Sequence, residues 1–319
     1  MQEKCINIHQ WHDAGWTGLG INVWNMENYE GWHGRATTRH IKEAAPDVNV
    51  ITLTPKNNIK GYGSIEDFIQ EENINICVDS INGLNDPKSE KLYNNLKEEY
   101  NLILFNAADN NNETNNEAFM TVGEALNDYA SNVDFSMFAG SDLKGASFSA
   151  SYLAGLAAVI LQRYPGMSHY EVYQYLKMIT TSTETVTNIP VLPSIDKKLL
   201  VLSINSKHYQ SDGENKVTDV SPIIKNGTIF VPVSFIAHEL GAKVLWNGQK
   251  HEAVIYKTHM ILSITIGQQE YAMNGTQHIM NNAPFIKNKR TFVPLSLIPK
   301  LECKVVPVPE SGKILILEQ

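Results

Sequence analysis

Four side chains in the first half of this 319-residue chain are of the types that acyl transfer by a serine requires. Ser147 stands in Gly145-Ala146-Ser147, directly ahead of an apolar, small-residue segment, which places its hydroxyl at the N-terminus of an expected helix. Backbone N–H groups and the positive end of the helix dipole stabilise developing negative charge there. Such a nucleophile needs a base, a group that orients the base, and an oxyanion donor. His33, in Gly31-Trp32-His33-Gly34, sits at the mouth of a helix and is the candidate base. Glu27 ends an apolar strand and is the candidate orienter, with Glu30 and Asp13 as alternatives. Asn110 follows a buried strand, where its amide could donate to an oxyanion. Each type also has a plainer role: Ser147 as a helix cap, Asn110 as a turn residue in an Asn-rich loop, His33 and Glu27 as solvated groups.

These residues must be held by a scaffold, and the pattern of apolar runs describes one. Segments 21–26, 48–53, 74–78 and 102–105 read as strands; 35–45 and 88–99 read as helices. This alternation predicts an α/β fold, a parallel sheet with helices on its faces. After Ser147, Leu153, Leu156, Ala157 and Ile160 share one helical face, and Pro165-Gly166 ends the helix. Ser168 with Glu171 forms a capping box that opens another helix. The Thr- and Ser-rich stretch 180–188, followed by Pro190 and Pro193, marks a boundary between domains at 1–188 and 197–319.

The second domain repeats itself. Pro222-Ile223-Ile224-Lys225-Asn226-Gly227 recurs as Pro284-Phe285-Ile286-Lys287-Asn288-Lys289, and Phe230-Val231-Pro232 as Phe292-Val293-Pro294, each 62 residues on (284 − 222). Two copies, about 197–257 and 258–319, are expected, each with strands, a hairpin turn and a short helix (234–240; 296–301) in a smaller α+β domain.

Composition sets limits. A net charge of -8 with interspersed signs leaves no basic stripe for nucleic acid. No apolar stretch approaches the length of a membrane span. Cys5, Cys77 and Cys303 are too few and too far apart for a disulfide framework. Cys77 reads as a small buried hydrophobe. His238 and Glu239 lack ligand-like neighbours, so no metal is expected there; calcium stays open, although no acidic loop has clear calcium-ligand spacing. The first residues lack the basic and apolar regions of a secretory leader.

In chain order, the motifs of residues 10–184 resemble the subtilisin-like serine proteases. Gly20-Ile21-Asn22-Val23-Trp24-Asn25-Met26-Glu27 resembles the strand that ends in the triad acid. His33-Gly34 resembles the His-Gly-Thr helix start, and Ala44-Ala45-Pro46 the turn after that helix. Ala107-Ala108-Asp109-Asn110 resembles the Ala-Ala-Gly-Asn oxyanion segment, Gly145-Ala146-Ser147 resembles Gly-Thr-Ser, and Leu153-Ala154-Gly155 resembles Val-Ala-Gly. The resemblance implies a shortened subtilisin-like domain that cleaves polypeptides with Ser147, His33, Glu27 and Asn110 and needs no cofactor. It also implies that the strand carrying Ile76, Cys77, Val78 and Asp79 pairs with substrate backbone, and that 136–144 helps line the specificity pocket. The chain departs from the family in four places. Glutamate replaces the triad aspartate, only six residues separate it from His33 (33 − 27), Ser151 replaces a proline, and Asp109 replaces a glycine. Loss of activity, with the fold kept to bind peptides, is the other reading these departures allow.

Residues 197–319 resemble the copper amine oxidase N-terminal-like domain, chiefly through Val231-Pro232-Val233-Ser234-Phe235-Ile236 and Phe292-Val293-Pro294-Leu295-Ser296. That module is common in bacterial surface proteins and implies neither copper nor catalysis. It implies an appendage that binds a surface or protein partner, or dimerises. The leaderless N-terminus suggests the cytoplasm and the module suggests the cell surface, so localisation stays open.

Overall fold

The computed structural model describes residues 7–28, 30–55, 59, 61–81, 84, 86–108, 117–124, 133–137, 145–181 and 189–319. Two compact units, Met1–Ile195 and Asp196–Gln319, make up the chain. The first unit reaches past the Thr-rich stretch because later residues fasten to it. Thr180 pairs with Pro190, the Trp11 indole donates to Pro193 O at 2.9 Å, and Arg163 donates to Ile195 O at 2.9 Å.

The first unit is built on six parallel strands, β1 (Asn22–Asn25), β2 (Asn49–Thr52), β3 (Ile76–Asp79), β4 (Ile103–Ala107), β5 (Met120–Glu124) and β6 (Phe135–Met137). They lie in the order β2-β1-β3-β4-β5-β6. Every residue of β3 and β4 is buried, as expected of strands covered on both faces. Among the described residues, six α-helices accompany the sheet: α1 (Ile8–Asp13), α2 (Trp32–Ala44), α3 (Ile65–Glu71), α4 (Pro87–Tyr100), α5 (Ala146–Arg163) and α6 (His169–Ile179). The α/β expectation is met, with α1, α3, β5 and β6 beyond the elements read from the apolar runs.

Trp24, Cys77 and Leu104 pack with Phe68 of α3 and with Tyr93 and Leu96 of α4 on one side of the sheet. Helix α5, buried along most of its length, crosses the strands and packs against α2. The two helices meet at Gly155, where a Cβ would lie 2.3 Å from Ile41 O and 2.8 Å from the Ala44 Cβ. Glycine is what lets them approach this closely. Helix α6 carries the expected capping box, with Ser168 accepting from the Glu171 N–H and Glu171 accepting from the Ser168 N–H. Ser168→Ala is expected to cost about 1 kcal/mol, lowering the thermal midpoint by roughly 2–4 °C in a melting experiment.

The second unit is mostly antiparallel strand, with one α-helix, Val233–Glu239. Its elements recur at the spacing read from the sequence. Strand Ile223–Lys225 is matched by Phe285–Lys287, and Thr228–Pro232 by Arg290–Pro294. The two sets interlock, since Val231 faces Val293 across a four-stranded sheet. Strand Leu199–Ser203 pairs with Lys313–Glu318, and Glu252–Lys257 with Met260–Thr265. The helix expected at 296–301 is a 3-10 helix, Leu295–Leu301, with Pro299 inside it. No helix among the described residues is long and apolar enough to cross a membrane.

Candidate active site

Strand β1 ends at Asn25, and a tight turn follows in which the Glu27 N–H donates to Asn25 O at 2.8 Å. Helix α2 begins five residues after Glu27 (32 − 27). Gly34, in its first turn, lies so close to this segment that a Cβ would stand 2.3 Å from Asn28 O and 3.3 Å from the Glu27 Cβ. Asn25 secures the next turn of α2 by donating to Thr37 Oγ1 at 2.9 Å and Thr38 Oγ1 at 3.1 Å. The short tether therefore suffices, and His33 Nδ1 lies 2.9 Å from Glu27 Oε1. Among the described residues, neither alternative orienter, Glu30 or Asp13, forms a hydrogen bond or ion pair with His33.

The carboxylate is nearly closed off, at 7% side-chain exposure, while the imidazole is 27% exposed. Burial raises the Glu27 pKa above its ordinary value, against the opposing pull of His33. When Glu27 is ionised it only accepts, so the 2.9 Å bond then takes its hydrogen from Nδ1 and a ring carrying that single hydrogen presents a lone pair at Nε2.

Ser147 is the second residue of α5, as His33 is of α2. The N-cap Gly145 has φ +131°, a conformation that favours glycine, and helix geometry leaves the Ser147 N–H without an intrahelical acceptor. The two helix starts meet through Phe148. Its ring lies 5.4 Å from His33 and stacks on buried His40 at 4.9 Å. Trp32 meets the His33 ring edge-on at 5.4 Å.

The Ser147 hydroxyl is engaged elsewhere. It donates to Ser80 O at 2.6 Å, and among the described residues His33 and Ser147 share no hydrogen bond. Ser151 strengthens this corner, donating to Ser147 O at 2.8 Å with its oxygen 3.1 Å from Ser80 Oγ.

Strand β3 does not serve as expected. Ile76, Cys77 and Val78 are paired with β1 on one side and β4 on the other, so this backbone offers no edge to a substrate. Asp79 is buried and pairs with Asn106 of β4. Cys77 packs into the core, and burial pushes its thiol pKa well up. Asn110 and Asp109 lie outside the described residues, as does 138–144 of the expected specificity pocket. The sequence reading missed Ser80 and Phe148. Phe148 could have been noticed as the large apolar residue next to Ser147, whereas Ser80 carried no local signal.

The family model of the copper amine oxidase N-terminal domain matches residues 210–316. No curated protein sequence matches the chain. Among solved structures, the chain is similar to the MycP3 protease from the type VII (ESX-3) secretion system at 12% identity and a TM-score of 0.42, over 56% of this chain and 81% of that one. It is similar to proteases from Pseudoalteromonas arctica PAMC 21717 at 14% identity and 0.45, over 58% and 91%. It is similar to a cold-adapted subtilisin-like serine proteinase at 17% identity and 0.40, over 56% and 90%. Likeness this partial carries no residue roles across.

Proposed function

We propose that the first unit is a serine endopeptidase of the subtilisin-like kind. The observation that carries this reading is the 2.9 Å bond between His33 Nδ1 and a buried Glu27, beside the helix start that bears Ser147. Ser147 leaves Ser80 O by rotating about χ1 and attacks the scissile carbonyl as His33 Nε2 takes its proton. The imidazolium formed is stabilised by Glu27, whose low-dielectric surroundings strengthen the attraction. His33 then returns the proton to the leaving amine. The Ser147 N–H, which has no intrahelical acceptor, is assigned as one oxyanion donor and Asn110 as the second.

A second reading has one specific observation in its favour. The 2.6 Å bond to Ser80 O leaves Ser147 turned away from its base, as in a unit that binds peptides without cleaving them. Labelling with a fluorophosphonate probe separates the two. Endopeptidase chemistry predicts covalent labelling that Ser147→Ala abolishes and His33→Ala reduces by about 10³-fold or more. Folded protein that takes up no Ser147-dependent label supports the second reading. We read the second unit as a tandem duplication that anchors the chain to a partner.

A further inference from the structure

The interlocked second unit contains an internal control, because the strands of one half have counterparts in the other, 62 residues on at the first hairpin (285 − 223) and 61 on at the last (308 − 247). A cleft of about 390 Å³ lies where the edge strand Lys243–Asn247 approaches the edge strand Phe285–Lys287. Val244, Trp246 and Ile286 supply apolar surface, and Lys289 and Arg290 stand at its side. Trp246 is 48% exposed. The other half places different chemistry at these positions. Trp246 lies opposite Ala253, as its counterpart Pro307 lies opposite Ile314. The turn that carries Lys289 and Arg290 carries Gly227 and Thr228 in the other half.

The lysine is expensive where it stands. Both central residues of each turn have positive φ, Asn226 at 50° and Gly227 at 75°, Asn288 at 50° and Lys289 at 60°. Two-residue hairpins of this kind favour glycine at the second position. One half follows that preference and the other holds a cation against it, beside the cleft. Arg290 is committed to Asp219, at 2.7 Å, whereas Lys289 has no ion-pair partner among the described residues. No Asp, Glu, Asn or Gln is among the described residues that line the cleft. Its polar side chains are the Ser234 and Thr291 hydroxyls and the two cations, so any charge it selects is negative.

We propose that this cleft binds an extended peptide segment in which apolar and acidic side chains alternate. An open strand edge pairs with the peptide backbone, Trp246 and Ile286 receive the apolar side chains, and Lys289 pairs with a carboxylate. The site does not depend on the protease reading.

The test uses the full chain with Ser147→Ala, so that no cleavage can intervene, and fluorescence anisotropy of a labelled Thr-Ile-Glu-Val-Glu-Ile-Thr peptide. Saturable binding is expected, weakened at least tenfold by Trp246→Ala and by replacing both peptide glutamates with lysine. Pro307→Ala, in the other half, is expected to leave binding unchanged. Lys289→Gly separates ligand binding from a structural role: it is expected to raise the thermal midpoint while weakening binding about two- to fivefold, as loss of one exposed ion pair does. Equal binding of the glutamate and lysine peptides, unchanged binding in Trp246→Ala and Lys289→Gly, or no saturation with the peptide would overturn the proposal. So would Trp246-dependent binding of polygalacturonate in place of the peptide.

Discussion

Glu27→Gln is expected to slow fluorophosphonate labelling of Ser147 by about 10³–10⁴-fold while raising the thermal midpoint at pH 8. The two effects share one cause. Burial raises the Glu27 pKa, so the folded protein binds this proton more tightly than the unfolded chain does. Stability contributed by the protonated form is fully present below the unfolded value of 4.5 and is lost as pH rises through the higher folded value. At pH 8 the charged carboxylate therefore costs stability, and a neutral amide removes that cost. The amide also no longer stabilises an imidazolium. Melting curves at pH 8 and pH 4 check the sign, since the gain of Glu27→Gln should be present at pH 8 and vanish at pH 4. Glu27→Asp separates charge from reach. It keeps the charge but withdraws it by one methylene from a 2.9 Å bond, and about 10²-fold loss of labelling is expected.

The second large effect is steric. Gly155→Ala would place a Cβ 2.3 Å from Ile41 O, a backbone atom that no side-chain rotation can move. Forcing α2 and α5 apart is expected to cost about 3 kcal/mol and lower the thermal midpoint by roughly 10 °C. Because these helices carry His33 and Ser147, labelling should fall even in the protein that remains folded. Gly34→Ala provides the local contrast. Its Cβ would meet Asn28 O at 2.3 Å, lifting the start of α2 away from Glu27, so labelling should fall with a smaller change in midpoint. Equal midpoints for Gly155→Ala and the parent protein would show that the helix contact is not as close as described.

The parallel sheet was legible because strands buried on both faces are written as continuous apolar runs, such as Ile103-Leu104-Phe105. Strand β6, three residues long, left too short a run to read. Helix α3 was announced by Ser64, whose side chain accepts from the Asp67 N–H, but its seven residues show little periodicity. The Glu27–His33 pairing followed from residue order, whereas the means of closing it did not. That depends on a turn at Asn25 and on the bareness of Gly34, both matters of three-dimensional approach. The assignment of Ile76, Cys77 and Val78 to substrate failed for a related reason. Whether a strand is an edge depends on its neighbours, here β1 and β4, which are distant in sequence. Ser80 escaped notice because its carbonyl, not its side chain, holds Ser147.

In the second unit, Leu199 lies opposite Leu317, so its first and last strands run antiparallel side by side and the polypeptide goes in and comes out at one end. Tension applied between residues 196 and 319 would fall on the outermost rung of that ladder and then on each rung in turn. Rungs loaded singly give way at low force, whereas a ladder pulled along its length shares the load among all of them. The Leu199–Leu317 rung is therefore the first to be loaded under such traction.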